Sequence, residues 1–432
     1  MTAEPMIPTP SRLAPQRRRA RPAARAVPRP NEGLWPGLAT PPHSALRARV
    51  AEALFRRAVR TLPVRVVFAG GERIGRGGPG SPVMRIVRPA AFFHRLGCNS
   101  KIGFGESYMV GDWTSSDLAD LLTPFAARLS VLIPPLLQRI GRRFAEARQP
   151  REERNTVAGS RENIHRHYDL SNELFATFLD ETMSYSSGWF AHPQETLANA
   201  QRRKIDGILD MAHVGPETHV LEIGTGWGGL ATRAAQRGAR VTTLTISAEQ
   251  ARLAEERLAA AGVADRVQVL LRDYREARGS YDAVVSVEMI EAVGERYWPT
   301  YFSALDRLLK PGGRVGLQSI TMPHDRMLAS RGDYSWMHKY VFPGGLIPST
   351  QAIEQHLALH TTLRLAEQRS LGEHYARTLA QWRENFLSRW EAVAALGFDS
   401  TFRRMWEFYL AYCEAGFRVG YLDVFQFSLV RP

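Results

Sequence analysis

The order of apolar and polar positions divides the chain into stretches of different period. From His219 onward, short runs rich in β-branched residues alternate with amphipathic stretches of helical period. The order is HVLEIG, a helix, ARVTTLTIS, a helix at 249–261, RVQVLLRDY, YDAVVSVEMI, a helix ending at KPGG, and RVGLQSI. Such alternation predicts an α/β fold with a doubly wound parallel sheet. Beyond Thr321 the chain becomes aromatic and irregular, with helices expected near 350–360, 375–396 and 402–417. Upstream, ALRARVAEALFRRAVR (45–60) reads as a helix with Val50, Leu54 and Val59 toward one side, flanked by Arg49, Arg56, Arg57 and Arg60. It is either an ordinary surface helix packed on its own domain or one that rests on anionic lipid. Strand-like VRVVF and MRIVR follow, with GRGGPGS between them, and then GFGESYMVGDW. Residues 45–146 therefore read as a small mixed α/β domain, 147–162 as a polar linker, and 163–432 as the larger unit.

Composition adds constraints. The 432 residues have room for two or three domains and a sizeable core. A net charge of +13 favours a polyanion, either nucleic acid or an anionic bilayer, without choosing between them. Part of that charge sits in 1–44, which is rich in Pro, Ala and Arg, lacks apolar periodicity and reads as a disordered basic tail. The tail has no apolar h-region of a secretory signal, and an Arg-rich transit peptide is the lesser alternative. The most apolar run, LSVLIPPLLQRI (129–140), is interrupted by two prolines and falls short of the roughly twenty apolar residues a membrane span needs. Any membrane is thus expected to be met from its surface, on the cytoplasmic side. Cys98 and Cys413, the only cysteines, match no metal spacing and read as structural thiols of a reduced, cytoplasmic protein. His165 and His167 form a pair without a plausibly spaced third ligand, so local hydrogen bonding and no metal are expected.

The stretch VLEIGTGWGGLATRAAQRG (220–238) carries the chemistry. Gly224, Gly226 and Gly229 form a GxGxxG turn between a strand and a helix. A dinucleotide site would also want an acidic residue at the end of the second strand, where Thr245, Ile246 and Ser247 stand instead. Glu222 lies just before the glycines, where a carboxylate suits an ammonium better than a pyrophosphate. At this point the chain resembles the class I S-adenosylmethionine-dependent methyltransferases, through EIGTGWG (222–228), Asp273 after the third strand, YDAVVSV on the fourth and LKPGG (309–313) before the fifth. The likeness implies a Rossmann-like sheet with a helical cover over the active site. It also implies a sulfonium cofactor whose methyl is electrophilic, so that the protein need only position a nucleophile in line with it.

Base methyltransferases often carry an NPPY-like turn after the fourth strand; here the place holds SVEMIEAVGERYW (286–298), which speaks against a nucleic-acid partner. That segment, with NIHRHYDLSNELF (163–175), TMSYS (182–186), AQRRKID (200–206), TISAEQ (245–250) and KYVFPGGLIPS (339–349), resembles the cyclopropane-fatty-acyl-phospholipid synthase family. GFGESYMVGDW (103–113) is similar to the lipid-engaging N-terminal domain of its long members, so the likeness covers all but the tail. Within the family, SVEMIEAVG, LQSITMPHDRML and EAGFRVGYLDVFQFSLVR look most like the methyltransferases of 10-methylstearic (tuberculostearic) acid synthesis. Those enzymes methylate an oleoyl chain in a phospholipid.

The resemblance implies S-adenosylmethionine as cofactor and distributes it over this sequence. Tyr185 and Ser186 fall near it, Glu222, Gly224, Gly226, Trp227 and Gly228 around its amino-acid portion, Thr245 to Gln250 near the ribose, and Asp273 and Tyr274 near the adenine. Gln250 is the expected ribose partner. Attack by an alkene leaves a carbocation, which aromatic faces stabilise by cation–π attraction. Tyr185, Trp189, Phe190, Tyr340 and Phe342 are candidates, with plain core packing as the alternative for each. The family likeness further implies a bound bicarbonate as general base, held by a Cys, a Glu, a His and a Tyr. Glu291 and Tyr340 fall on matching positions, whereas Ser187 stands for the Cys and Gln318 for the His. Both can still donate to an oxyanion. The departures point to loss of a proton from a chain carbon next to the cation and a 10-methylene product, with cyclopropane closure as the alternative. Glu288 reads as a solvated or structural carboxylate. Completing a 10-methyl product needs reduction, and a separate reductase partner is expected because the sequence offers no second dinucleotide turn. An RNA or protein methyltransferase, and a membrane-binding protein on a degenerate enzyme fold, are the rival readings.

Overall fold

The computed structural model describes residues 29–128 and 171–432. Most of the expected tail, the linker 147–162, the run 129–140 and the pair His165 and His167 lie outside the described residues. In the first part, the helix Ala45–Val59 leads into β1 (Arg65–Phe68), β2 (Arg73–Ile74) and β3 (Val83–Ile86). The helices Pro89–Cys98 and Ser100–Met109, β4 (Trp113–Ser115) and the helix Leu118–Ala127 follow. The sheet order is β2-β1-β3-β4, with β1 and β3 parallel, which makes the unit the mixed α/β layer its sequence suggests. Its first helix splits the side expected of Val50, Leu54 and Val59. Ala48, Phe55 and Val59 face inward, while Leu46 (75%), Val50 (52%) and Leu54 (44%) stand exposed. Residues 46, 50 and 54 repeat every fourth position, so they share a stripe opposite Phe55.

The larger unit is built on seven strands: β5 (His219–Ile223), β6 (Arg240–Thr245), β7 (Val267–Leu271), β8 (Tyr281–Val287), β9 (Leu309–Thr321), β10 (Arg364–Ser370) and β11 (Asp423–Val430). Their order is β10-β11-β9-β8-β5-β6-β7. Strands β5 to β9 are mutually parallel, and β11 runs antiparallel against both β9 and β10. The sheet is Rossmann-like, as expected. Val220, Leu221, Ala283, Val284, Val285 and Val315 are fully buried because helices cover both faces. Chain order reverses between β6 and β8 on either side of β5, and ligands of doubly wound sheets bind in the crevice at the carboxyl ends of such strands.

The two units meet over one continuous apolar cluster running from Phe92 and Trp113 to Trp336, Trp406 and Phe408. Gly105 makes the approach possible, since a Cβ there would lie 2.5 Å from Cδ1 of Trp336. Polar ties reinforce it. Tyr108 donates to Glu407 (2.9 Å), Arg404 donates to the carbonyls of Tyr108 and Trp113, and Lys101 pairs with Asp333 (2.7 Å). Among the described residues no helix is long and apolar enough to cross a membrane, and no group of three His, Cys, Asp or Glu could hold a metal ion.

Candidate active site

The crevice forms where β5 ends in glycines. Gly224 (φ +100°), Gly226 (+52°) and Gly228 (+82°) occupy the left-handed region, which a side chain would resist. A Cβ on Gly226 would meet nothing within 4 Å, so the turn opens onto free space. Gly228 caps the helix Gly229–Gln236. Trp227 points the other way, buried, donating to Asn172 Oδ1 (2.7 Å) and packing on Phe175. It supports the turn from behind.

Glu222 is buried at the end of β5, where Thr243 on the neighbouring strand donates to Oε2 (2.6 Å). The Thr225 hydroxyl lies 2.7 Å from that of Thr243 and completes a short relay. Its other carboxylate oxygen has no hydrogen-bond partner among the described residues. Burial pushes its pKa up to about 8. A buried carboxylate with one oxygen to spare, beside an open glycine turn, suits a positively charged ligand group. At the end of β6, Thr245 donates to Gln250 Oε1 (3.0 Å), and Ser247 caps the next helix by accepting from the Gln250 amide. This ties Gln250 to the strand end and leaves its amide nitrogen for a ligand hydroxyl. Asp273 is buried and held on both oxygens by Arg275 (2.8 and 2.6 Å), whose guanidinium lies over the Tyr274 ring (5.5 Å). The likeness assigns this pair to adenine; its carboxylate is already committed to Arg275.

The segment 182–187 runs beneath the turn. Lys204, on the helix Leu197–Met211, is fully buried and donates to the Ser186 hydroxyl (2.6 Å), while Gln201 donates to the Ser186 carbonyl (2.7 Å). Burial lowers the Lys204 pKa to about 8 against the pull of Glu288, Asp180 and Glu222. Tyr185 shares a 2.7 Å contact with the Tyr409 hydroxyl and lies among Phe175, Phe178 and Trp382. Trp189 and Phe190 have their faces covered by Arg369 (4.4 Å) and Arg377 (3.8 Å). One of the protein's own guanidinium groups thus lies over each of those two rings. Phe342 is half-exposed and meets Tyr409 edge-on.

The four residues expected to frame an anion do not converge on one point. The Ser187 amide (3.0 Å) and the Gln318 side chain (2.8 Å) both donate to Oε1 of Glu288, and Tyr375 donates to its Oε2 (2.6 Å). Gln318 is itself held by Gln426 (3.0 Å). Glu291 accepts from the Ile320 amide (2.6 Å) and the Ser319 hydroxyl (3.1 Å) on one oxygen, while its other oxygen is buried without a partner among the described residues. Burial, and then the negative charge of Glu288, push Glu291 up to about 8. Tyr340 donates to Glu106 (2.7 Å), in the GFGESYMVGDW segment of the first unit, where Lys339 also binds (2.6 Å). Lys204, Thr243, Tyr375, Gln426 and Glu106 were not singled out by sequence. Only Lys204 offered a clear signal, because it falls four residues from Ala200 and Ile208 on the apolar face of a helix.

The model of mycolic acid cyclopropane synthetase matches residues 156–427. The tuberculostearic acid methyltransferase UfaA1 of Mycobacterium tuberculosis is 51% identical over 92% of this chain and 95% of its own. The cyclopropane-fatty-acyl-phospholipid synthase of Escherichia coli strain K12 is 34% identical over 80% and 87%. Among solved structures, the cyclopropane synthase MmaA2 from Mycobacterium tuberculosis superimposes with a TM-score of 0.58 at 32% identity, covering 63% of this chain and 98% of that one. The mycolic acid cyclopropane synthase CmaA1 complexed with SAH and CTAB gives 0.58 at 29% identity, covering 65% and 98%. With the glycine turn, the acidic strand end and the seven-stranded order all in place, the chain belongs to the mycolic acid cyclopropane synthetase family of S-adenosylmethionine-dependent methyltransferases.

Proposed function

We propose that the protein transfers a methyl group from S-adenosylmethionine to the double bond of an oleoyl chain in a phospholipid, giving a 10-methylene intermediate toward 10-methylstearic acid. The near full-length identity to a relative named for tuberculostearic acid carries this reading. The crevice agrees with it, since Glu222 offers a carboxylate to a cationic group, the Gly226 turn leaves room, and Gln250 stands at the end of β6. When bound, the cofactor supplies an electrophilic methyl, which the alkene takes with its π electrons to leave a thioether and a carbocation on the acyl chain.

The fate of that cation sets the product. Loss of a proton from a chain carbon beside it gives an internal alkene with a methyl branch. An exocyclic methylene requires a hydride to move from the methylated carbon to the cation, followed by loss of a proton from the new methyl. Cyclopropane closure removes the same methyl proton. The methyl, rather than the chain carbon first expected, is therefore the proton source for the proposed product.

The reaction is placed at the surface of an anionic bilayer on the cytoplasmic side. Support comes from the exposed stripe of Leu46, Val50 and Leu54 with Arg49, Arg57 and Arg60 exposed on the same helix. An apolar stripe beside arginines lies at a headgroup boundary, each arginine contributing about 1 kcal/mol near anionic lipid. A separate reductase completes the product, because the crevice around Glu222 suits a cationic cofactor rather than a hydride-carrying dinucleotide. The test is incubation of purified protein with methyl-labelled S-adenosylmethionine and either dioleoyl-phosphatidylglycerol vesicles or tRNA. Label in the lipid extract is expected, and label in tRNA alone would overturn the reading.

A further inference from the structure

The residues that the family likeness assigns to a bicarbonate do not fit one here. The Ser187 hydroxyl donates to the Gly188 carbonyl, its amide and Gln318 donate to Glu288, and the Tyr340 hydroxyl donates to Glu106. Gln318 and the Ser187 amide thus already cradle one carboxylate of the chain, Glu288, and Tyr340 is committed to another, Glu106. We propose that Glu288 is the general base of the reaction, a built-in carboxylate standing where an exogenous anion would otherwise act. This rests on the methyl-transfer reading given above.

Position, geometry and backbone support it together. Glu288 directly follows β8 at the crevice end of the sheet, and its neighbour Met289 packs 3.6 Å from where a Cβ of Gly224 would lie, so the carboxylate stands beside the cofactor turn. Three donors occupy its two oxygens, and a carboxylate offers about four acceptor sites, which leaves one for a proton. The backbone at Glu288 sits at φ +49°, a region unfavourable for a side chain, and its amide is pinned to the Gln318 carbonyl (2.8 Å). Strain of that kind persists where the surroundings fix it, often at active sites. Burial raises the Glu288 pKa against the pull of Tyr375, the Ser187 amide, Gln318 and Lys204, which makes its carboxylate a stronger base than a solvated one. Glu291, with one orphan oxygen, is pushed up to about 8 by burial and by the neighbouring Glu288.

In the step, Glu288 takes a proton from the transferred methyl. A hydride shift first places the cation on the methylated carbon; the C–H electron pair then becomes the π bond of the exocyclic methylene, which quenches the cation, and the neutral carboxyl returns its proton to water.

The experiment measures methyl transfer to dioleoyl-phosphatidylglycerol vesicles in carbon-dioxide-free buffer, with and without added bicarbonate, for the wild type, E288Q and E288G. The wild-type rate is expected to be the same in both buffers. General-base loss is worth about 100-fold or more in kcat, so E288Q should fall by at least that much and lose the acid limb of the wild-type pH profile. Its melting temperature and S-adenosylhomocysteine affinity should stay close to wild type. Formate should restore part of the activity of E288G, which a purely structural role would not allow. A wild type that stalls without bicarbonate overturns the proposal even if no variant folds, and so does an E288Q with near wild-type kcat. A wild type that methylates no acyl chain in either buffer refutes the functional reading itself.

Discussion

Glu222→Gln removes one charge and keeps the shape, and its consequence follows from burial. Thr243 occupies one oxygen, and the surrounding strands hold the carboxyl near a pKa of 8. A cationic cofactor binds the ionised form, whereas below pH 8 the neutral form dominates in the free protein. At pH 7 only about a tenth is ionised, and each pH unit further down costs about 1.4 kcal/mol. Affinity for S-adenosylmethionine should thus rise about tenfold per pH unit up to about 8 and then level. Lys204, lowered to about 8, sheds its own charge in the same window and steepens the rise, so the variant is needed to isolate the share of Glu222. A hydrogen bond to a charged group contributes about 1.5–3 kcal/mol, which predicts roughly 10- to 150-fold weaker binding for E222Q at pH 8.5. Its slope with pH should also be shallower by about one decade per unit. Isothermal titration calorimetry from pH 6 to pH 9 measures both. Parallel slopes for the two proteins would show that Glu222 does not face the cofactor's charge.

Gly105→Val should lower the melting temperature by the equivalent of about 1–3 kcal/mol, the usual range for overpacking, because its Cβ collides with the Trp336 ring. An unchanged melting curve would refute the close contact between the two units. Tyr340→Phe takes a donor from Glu106 and should cost about 1–2 kcal/mol in chemical denaturation. A loss confined to kcat with stability intact would instead put that hydroxyl on the reacting atoms. Replacing Leu46, Val50 and Leu54 together by Ser should leave the fold unchanged, since all three are exposed, and weaken co-sedimentation with anionic vesicles at least about tenfold. Equal binding would move the membrane contact elsewhere.

The parallel part of the sheet was legible because a strand buried on both faces is written as a mostly apolar run, as in VLEI and DAVVSV. Strands β10 and β11 were not. Arg364–Ser370 leaves most of its side chains exposed, and its residues RLAEQRS carry little apolar pattern of any period. The first helix was legible by its period, but Val59 does not share a side with Val50 and Leu54, because it lies about two and a half turns beyond Val50 and packs inward with Ala48 and Phe55. At the site, Glu222 and the glycines could be placed by local order alone, since a strand, a turn and a helix are contiguous. The environment of Glu288 could not, because Ser187, Gln318 and Tyr375 come to it from positions 101, 30 and 87 residues away. Tyr340 likewise reads as a site residue by motif, and only the docking of the first unit reveals Glu106 on its hydroxyl, 234 residues distant.

The most direct test uses trideuteromethyl S-adenosylmethionine with dioleoyl-phosphatidylglycerol vesicles and purified protein, followed by silver-ion chromatography and mass spectrometry of the acyl chains. The expected product keeps two of the three deuteriums and retains its unsaturation, as a 10-methylene chain must. Two deuteriums without unsaturation would make the protein a cyclopropane synthase, and three with unsaturation would place proton loss on the chain carbon. Either result would contradict the proposed product, and deuterium-free lipid would contradict acyl-chain methylation altogether.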